Sequence, residues 1–244
     1  MNKKGKIVIL LVVILIIVIA LNYFISSNTV YLGNNTKVLV IGNKIIKLKN
    51  NRKILLNKVS IYKDGKKFDG YLKSEKYDMG YSYYAVSKYN KKFNSNDLVA
   101  SGKMVKMNAV SSSNIETSFN VSEINSLLEL KLENDNVIDY KKVTFDIDND
   151  SNNEEIVFIK YIVDNIGTTK AFVVDNEDIT DIVEFEYDYT DMVNIKNDVH
   201  YLSDVIDLNN DKKYEIILAR IDGDSQPTYY DIYSYENGNI KEIK

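Results

Sequence analysis

An uninterrupted run of apolar residues near the N-terminus places the strongest constraint on this chain. From Ile7 to Leu21 there are fifteen apolar residues, and residues 22–25 extend the stretch to nineteen. At ~1.5 Å rise per residue, a helix of that length spans roughly 28 Å, close to the ~30 Å hydrocarbon core of a bilayer. A core helix of a globular domain is rarely apolar on every face. The sequence therefore predicts a transmembrane anchor over residues 7–25.

The charges on either side of this stretch predict its orientation. Lys3, Lys4 and Lys6 precede it, whereas the first charge after it is Lys37. The positive-inside rule then places residues 1–6 in the cytoplasm and the rest outside, as a single-pass protein of the cell membrane. A cleaved secretory signal is the alternative, because residues 18–20 loosely match a small-residue cleavage site. Both alternatives predict export of the remaining chain.

The composition of that remainder favours strands. There are 19 Tyr against 8 Phe and no Trp, with many Ile, Val and Thr, and these residue types suit pleated, half-buried strands. We expect a mainly β fold: the transmembrane helix, an antiparallel β-domain and two blade-like β-repeats. Cysteine is absent, which excludes disulfides, thiolate metal sites and a Cys nucleophile.

Charge is distributed unevenly along the chain. Residues 1–29 carry +3, residues 30–135 carry +8 and residues 136–244 carry −15. An acidic segment of this size repels itself, and cations or the basic segment would relieve the repulsion. An ordinary solvated acidic surface is an equally good explanation.

Turn signals and alternating apolar residues divide the exported part. We expect a polar tether over residues 26–36, a basic β-rich domain over 37–135 and an acidic domain over 136–244. Predicted strands in the basic domain are Val38–Ile41, Lys44–Leu48, Lys58–Tyr62, Lys66–Tyr71, Tyr81–Val86 and Leu98–Met107, with Asp64-Gly65 as a hairpin turn. Residues 122–133 fit a short helix, with Ser122 as N-cap, that enters a strand.

The acidic domain contains an internal repeat. The segments that start at Phe145 and Ile206 align, with Asp146 and Asp207 separated by 61 residues. Each segment has an acidic loop, a β-branched strand, a polar turn and a second strand. When Glu154 is aligned with Glu215, loop one has an extra residue, Glu155, before Ile156, whereas Ile216 follows Glu215 directly.

The acidic loops have the spacing of a calcium site. Calcium binds six to eight oxygens at about 2.3–2.6 Å, and alternate residues of a curled loop point inward. The candidate ligands are Asp146, Asp148, Asp150, Glu154 and the Asn152 carbonyl in loop one, and Asp207, Asn209, Asp211, Glu215 and the Lys213 carbonyl in loop two. Zinc prefers His and Cys, which are nearly absent. Asp- and Asn-rich turns that hold no metal are the alternative.

The D-x-D-x-D-x-x-x-E-I pattern before a strand resembles FG-GAP or VCBS-type repeats, found in integrin-like propellers and many bacterial surface proteins. The resemblance covers residues 142–244 and implies blade-like β-repeats, calcium in the loops and a role in adhesion or recognition. The family usually has Gly at the sixth loop position, where this chain has Ser151 and Lys212. Two repeats cannot close a propeller. Either the N-terminal β-domain packs against them, or the two sheets face each other.

The sequence has no evident catalytic constellation. His200 is the only histidine and no nucleophile elbow accompanies it, while Gly167 and Gly223 are isolated and form no phosphate loop. We therefore expect no enzyme, but a membrane-anchored binding module with calcium in its repeats. Alternatives are an envelope enzyme or accessory subunit that acts on glycans through carboxylates, and a membrane assembly or sensor factor.

A basic stretch over residues 47–53 suggests partners. Besides the bilayer itself, anionic lipid head groups, an acidic envelope polymer or another surface protein would fit an exported domain. Nucleic acid is a poor candidate. A solvated lysine-rich strand that discourages edge pairing is the simpler explanation of the same residues.

Overall fold

The structure, a computed structural model, describes residues 3–33, 36–48, 58–63, 66–77, 80–87, 99–110, 114–189, 199–221 and 227–244. Helix α1 is Lys3–Ser27 and helix α2 is Val121–Leu128. The strands are Thr29–Leu32 (β1), Thr36–Ile41 (β2), Lys44–Lys47 (β3), Lys58–Lys63 (β4), Lys66–Tyr77 (β5), Gly80–Ser87 (β6), Val99–Ser101 (β7), Asn108–Ala109 (β8), Ile115–Glu116 (β9), Val137–Phe145 (β10), Glu154–Val163 (β11), Ile166–Asp175 (β12), Asp178–Asp188 (β13), Val199–Asp207 (β14), Glu215–Ile221 (β15), Pro227–Glu236 (β16) and Asn239–Glu242 (β17).

The strands form three antiparallel sheets. The N-terminal sheet has the order β3-β2-β1-β7-β4-β5-β6, the middle sheet β17-β16-β15-β14-β8 and the outer sheet β13-β12-β11-β10-β9. All strand pairs in the described part of the chain are antiparallel. The predicted class, mainly β after an N-terminal apolar helix, is confirmed.

Each repeat of the acidic half forms one sheet. In both sheets four consecutive strands make a meander, and a short strand from residues 108–116 is added beside the first of them. The middle and outer sheets therefore have the same topology. The repeat that the sequence indicates is thus a repeat of structure as well.

The sheets stack face to face in a continuous series. The N-terminal sheet packs on the middle sheet through a buried core that includes Val30, Val38, Ile217 and Ile232. The other face of the middle sheet packs on the outer sheet, with Phe158 fully buried between them. Both arrangements that the sequence left open therefore occur together.

Helix α1 has the length and composition of a membrane span. The segment Ile7–Ser27 is long and apolar enough to cross a bilayer, and none of its most apolar window is buried inside the protein. Its side chains from Ile7 to Phe24 are exposed around the whole helix. A signal sequence near the N-terminus meets the same criteria, so the helix could be a membrane anchor or a signal sequence.

The described residues of the predicted polar tether over 26–36, which are 26–33 and 36, do not form a tether. Ser26 and Ser27 are buried, and β1 follows after the single residue Asn28. Strand β1 lies between β2 and β7 in the interior of the N-terminal sheet. The error has a simple cause: the β-forming run Thr29-Val30-Tyr31-Leu32 is only four residues long, and polar residues flank it on both sides.

The chain between residues 98 and 136 also departs from prediction. Strand β7 is shorter than the predicted strand, and Leu98 lies outside the described residues. Helix α2 forms where a short helix was predicted, but its N-cap is Asn120, whose side chain accepts a hydrogen bond from Ser122 N at 3.0 Å. It ends at Glu129, which has a left-handed φ of 53°, and no strand follows directly.

Helix α2 covers the outer sheet. Ile124 and Leu132 are buried against Tyr140, Ile159 and Phe172 on the face that points away from the middle sheet. Residues 114–132 therefore pack with the acidic half, although the predicted division at residue 135 assigned them to the basic domain. The Asp64-Gly65 turn lies outside the described residues, but Lys63 pairs with Lys66 across it.

Candidate metal centre

Two acidic loops occupy equivalent positions in the middle and outer sheets. Loop one joins β10 to β11, and loop two joins β14 to β15. Phe145 pairs with Glu154 across loop one, and Ile206 pairs with Glu215 across loop two. The loops have equal length, so loop one has no extra residue; Ile216 takes the place of Glu155.

The first aspartate of each loop organises the turn. Asp146 accepts hydrogen bonds from the backbone N–H groups of Asp150 and Ser151 at 3.1 and 3.2 Å. In loop two, Asp207 accepts the corresponding bonds from Asp211 and Lys212, both at 3.1 Å. A carboxylate that accepts two backbone N–H groups holds the loop in a tight curl.

The curl requires left-handed backbone at two positions. The fourth residue has φ of 62° in both loops, at Asn149 and Asn210. The sixth has φ of 80° at Ser151 and 71° at Lys212. Asn tolerates this conformation, whereas Ser and Lys adopt it at a steric cost that Gly would avoid.

A buried glutamate closes each loop. Glu154 is 1% exposed and accepts a hydrogen bond from Ile147 N at 2.8 Å, and Glu215 is 5% exposed and accepts one from Leu208 N at 2.9 Å. The pKa of Glu154 is raised to about 7, mainly by burial and to a smaller extent by the negative charges of Asp148 and Asp150. Burial also raises the pKa of Glu215 to about 8.

Loop one brings three carboxylates together. Asp146, Asp148 and Glu154 each offer one oxygen, and these oxygens lie within 4.8 Å of one another, so the group could hold a metal ion. Asp148 is only 8% exposed. One of its oxygens accepts a hydrogen bond from Asn237 N at 3.1 Å, while the other, Oδ1, is buried without a hydrogen-bond partner.

The two other residues predicted as ligands of loop one, Asp150 through its carboxylate and Asn152 through its backbone carbonyl, are bonded to each other. Asp150 Oδ1 accepts a hydrogen bond from Asn152 N at 2.7 Å, and its Oδ2 accepts one from Asn152 Nδ2 at 3.1 Å. Both residues are exposed. Asp150 and Asn152 therefore stabilise the turn beside the three-carboxylate group.

Loop two has donors where loop one has a carboxylate. Asn209 occupies the position of Asp148, and its Nδ2 donates to Asp211 Oδ2 at 2.9 Å and to Asn43 O at 3.4 Å. Asp211 Oδ1 accepts a further bond from Lys213 N at 2.9 Å. The Lys213 ammonium forms an ion pair with Glu236. The loop thus supplies its own partners for Asp211.

The two loops are bonded to each other. Tyr214 N donates to Ile147 O at 2.7 Å, and the rings of Phe145 and Tyr214 meet edge to face with centroids 4.7 Å apart. Nothing in the sequence pattern indicated a role for Tyr214 or Asn237. The only available signal was the repeat itself, which places a loop and a hairpin turn at the same end of each sheet.

An open cleft borders loop two. Its volume is about 750 Å³, and its lining includes Asp211, Glu215, Glu236 and Glu242. The side chain of His200, the only histidine of the chain, lies outside the described residues.

The basic stretch over residues 47–53 is described only at its first two residues. Lys47 is not a solvated strand residue there, because its Nζ lies 3.1 Å from Asp231 of the middle sheet. Arg220 contacts the same carboxylate at 2.8 Å. The basic half therefore neutralises part of the acidic half across the sheet interface.

Comparison of the chain with protein-family models, with curated proteins and with solved structures finds no match. The functional argument therefore depends on the geometry of the loops and on the helix.

Proposed function

We propose that this chain is a membrane-anchored extracytoplasmic binding protein whose first acidic loop holds a calcium ion. The observation that carries the proposal is Asp148 Oδ1, which is buried without a partner beside the carboxylates of Asp146 and Glu154. Gathering three carboxylates, two of them buried, is costly unless a cation compensates their charge. The site would hold its ion through these three side chains.

The donor set favours calcium over other cations. Three oxygens within 4.8 Å of one another are close enough to bind a single cation together. All three donors are hard carboxylates, whereas zinc prefers nitrogen and sulfur. Magnesium demands a stricter octahedral geometry at shorter distances and retains its water.

Loop two is the weaker candidate within this proposal. The Asn209 amide already donates to Asp211, and Lys213 brings positive charge to the same loop. A calcium ion at Asp207, Asn209, Asp211 and Glu215 would have to displace these partners. We therefore assign the tighter site to loop one.

The junction after α1 supports an anchor over a cleaved signal. Cleavage after Ala20 would remove most of α1, whose last two residues, Ser26 and Ser27, are buried at the junction with the N-terminal sheet. Gly102 N donates to Thr29 O at 2.8 Å in this junction. With the anchor retained and the lysines inside, the sheets would stand outside the cytoplasm.

The role that fits best is recognition at the cell envelope, as the resemblance to FG-GAP or VCBS-type repeats implies. Calcium would stabilise the stacked sheets, because Asp148 connects loop one to the Asn237 turn of the middle sheet. The stabilised surface would then bind an envelope polymer or another surface protein.

Thermal unfolding of the full-length chain in detergent micelles tests the calcium site. A ligand that binds only the native state stabilises it by about 2.7 kcal/mol at 100 times its Kd. We expect a higher melting temperature in excess calcium than in EDTA, with little response to magnesium. Identical melting curves in calcium and EDTA would refute the proposal.

Glycan hydrolysis is a second candidate because of the cleft beside loop two. Glu215 has a pKa raised to about 8 by burial, and Asp211, Glu236 and Glu242 line the same cleft. Glycosidases use one protonated and one ionised carboxyl group. Release of reducing sugar from envelope glycans, lost in Glu215→Gln, would favour this candidate; activity unchanged in that variant would exclude Glu215 as the acid.

A further inference from the structure

Both acidic loops lie at the end of the sheet stack where α1 enters, which we call the helix-proximal end. Strand β1 begins at Thr29, one residue after the helix ends, and Thr29 pairs with Leu39 of β2. The β2–β3 turn at Gly42-Asn43 therefore lies at this end. Asn209 of loop two donates to Asn43 O at 3.4 Å, and Tyr214 connects loop two to loop one.

The surface around the helix end suits a lipid head-group region. Ile41 and Met104 are 42% and 56% exposed beside it, and Met104 N donates to Ser27 O at 2.8 Å. Lys44, Lys103 and Lys106 are exposed close by in the chain. Apolar side chains flanked by lysines are favoured where acyl chains meet anionic phosphates.

The junction between helix and sheet is short and fully bonded. Asn28 N donates to Phe24 O and Ile25 O, both at 3.2 Å, which continues the helical pattern. The Asn28 side chain also donates to Phe24 O at 2.8 Å, and the Thr29 hydroxyl donates to Ile25 O at 2.7 Å. A junction with no flexible linker holds the helix-proximal end close to the bilayer in which α1 would sit.

We propose that the calcium ion of loop one completes its coordination with phosphate oxygens of anionic lipids in the same bilayer. This inference rests on the calcium site proposed above. One oxygen from each of Asp146, Asp148 and Glu154 leaves three or more of calcium's six to eight positions for other oxygens. Anchoring by α1 keeps lipid phosphate at a high effective concentration near the loop, unlike free phosphate in solution.

The chain offers a matched pair of probe positions. It has no cysteine, so a single introduced cysteine labels one position only. Asp178 and Asp188 are both exposed and lie at opposite ends of β13, about 33 Å apart at ~3.3 Å per residue. Asp178 follows the β12–β13 turn at the helix-proximal end, because Asp175 pairs with it and Val174 pairs with Glu155 beside loop one.

The experiment places full-length Asp178→Cys and Asp188→Cys, each carrying a fluorophore, in nanodiscs whose lipid head groups carry a nitroxide quencher. Discs of phosphatidylcholine are compared with discs that also contain phosphatidylglycerol, in calcium, in magnesium and in EDTA. We expect quenching at Asp178→Cys to exceed that at Asp188→Cys at least two-fold. In discs that contain phosphatidylglycerol, calcium but not magnesium should further increase quenching at Asp178→Cys. Adding Asp148→Asn to that variant should abolish the calcium-dependent increase.

Equal quenching at both positions, or a calcium effect of the same size in pure phosphatidylcholine, would overturn the inference. If calcium still raised the melting temperature in detergent, the calcium site itself would stand. Calcium-independent quenching together with an unchanged melting temperature would refute both the calcium site and the lipid bridge.

Discussion

The carboxylate of Asp148 in loop one accepts a hydrogen bond from the backbone N–H of Asn237, which is 89 residues further along the chain, at 3.1 Å. Asn237 begins the β16–β17 turn of the middle sheet, so this bond joins the loop of one sheet to the turn of the next. In loop two the equivalent residue, Asn209, reaches the Asn43 turn of the N-terminal sheet. The loops therefore connect the three sheets as well as forming the candidate site.

Asp148→Asn should weaken calcium binding while the fold persists. The change removes one of three clustered carboxylates, so in EDTA we expect an unchanged or slightly higher melting temperature. In calcium the stabilisation should largely disappear, with Kd raised at least 10-fold, which corresponds to about 1.4 kcal/mol. Isothermal titration calorimetry gives the Kd. Asp135→Asn, at an exposed carboxylate outside the site, is the control and should bind calcium like the parent.

Asn209→Asp should convert loop two into a second calcium site. The substitution restores the residue pattern of loop one but removes the amide that donates to Asp211. In EDTA we expect a loss of about 1–2 kcal/mol in the free energy of unfolding, because two half-buried carboxylates then face each other without a donor between them. Calorimetry in calcium should give one more bound ion per chain than the parent. Unaltered stoichiometry would show that Lys213 is enough to exclude the ion.

In calcium-free buffer the protein should lose stability as pH rises. The folded-state pKa of Glu215 is about 8, above its ordinary value of 4.5. The native state therefore retains a proton that the unfolded chain releases. The stabilisation that protonated Glu215 gives the native state is complete below pH 4.5 and is lost as pH rises through about 8. Glu215→Gln should reduce this loss of stability by an amount on the order of a few kcal/mol, leaving the smaller part that comes from Glu154, whose pKa is raised to about 7. Urea denaturation at pH 5 and pH 8.5 measures this pH dependence of the free energy of unfolding. Glu186→Gln, at an exposed site, is the control and should leave the pH dependence unchanged.

Ser151→Gly should stabilise the protein. Ser151 has a φ of 80°, a region that costs an L-residue roughly 1–2 kcal/mol, although Gly also loses more backbone entropy on folding. We expect a net gain of about 0.5–1 kcal/mol in chemical denaturation. Asn153→Gly, two residues further along, is the control and should be neutral or destabilising, since residue 153 has no positive φ.

Gly102→Ala should disrupt the junction between α1 and the N-terminal sheet. A Cβ at this position would lie 2.3 Å from Ser26 O and 2.5 Å from Ser27 O, both backbone atoms that cannot move independently. We expect a loss of about 1–3 kcal/mol in the free energy of unfolding in micelles. The exposed neighbour Lys103→Ala should remain within about 0.5 kcal/mol of the parent.

Local patterns in the sequence were sufficient to predict part of the structure. The apolar run predicted α1, β-branched and tyrosine-rich runs predicted most strands, and the 61-residue repeat predicted two equivalent loops. Within loop one, the alternation of Asp146 and Asp148 and the later Glu154 predicted the three residues that converge. These features depend on residues close together in the chain.

The remaining features depend on pairings between distant residues. Strand β1 is only four residues long and is fixed by β7, about 70 residues further along. Asp148 accepts a hydrogen bond from Asn237 N, which lies 89 residues further along the chain. The role of the Asn209 amide also depends on a turn in another sheet. No local pattern contains this information.

Helix α2 limits how the stack of sheets can continue. It covers the free face of the outer sheet with Ile124, and residues 127–132 extend the cover with four leucines. A second molecule that offered its own sheet there would meet a helix instead of an apolar β surface. Terminal caps of this kind stop repeat arrays from growing by end-to-end addition. The chain can therefore stack two repeated β-sheets without offering an open apolar sheet to which further copies could add at that face.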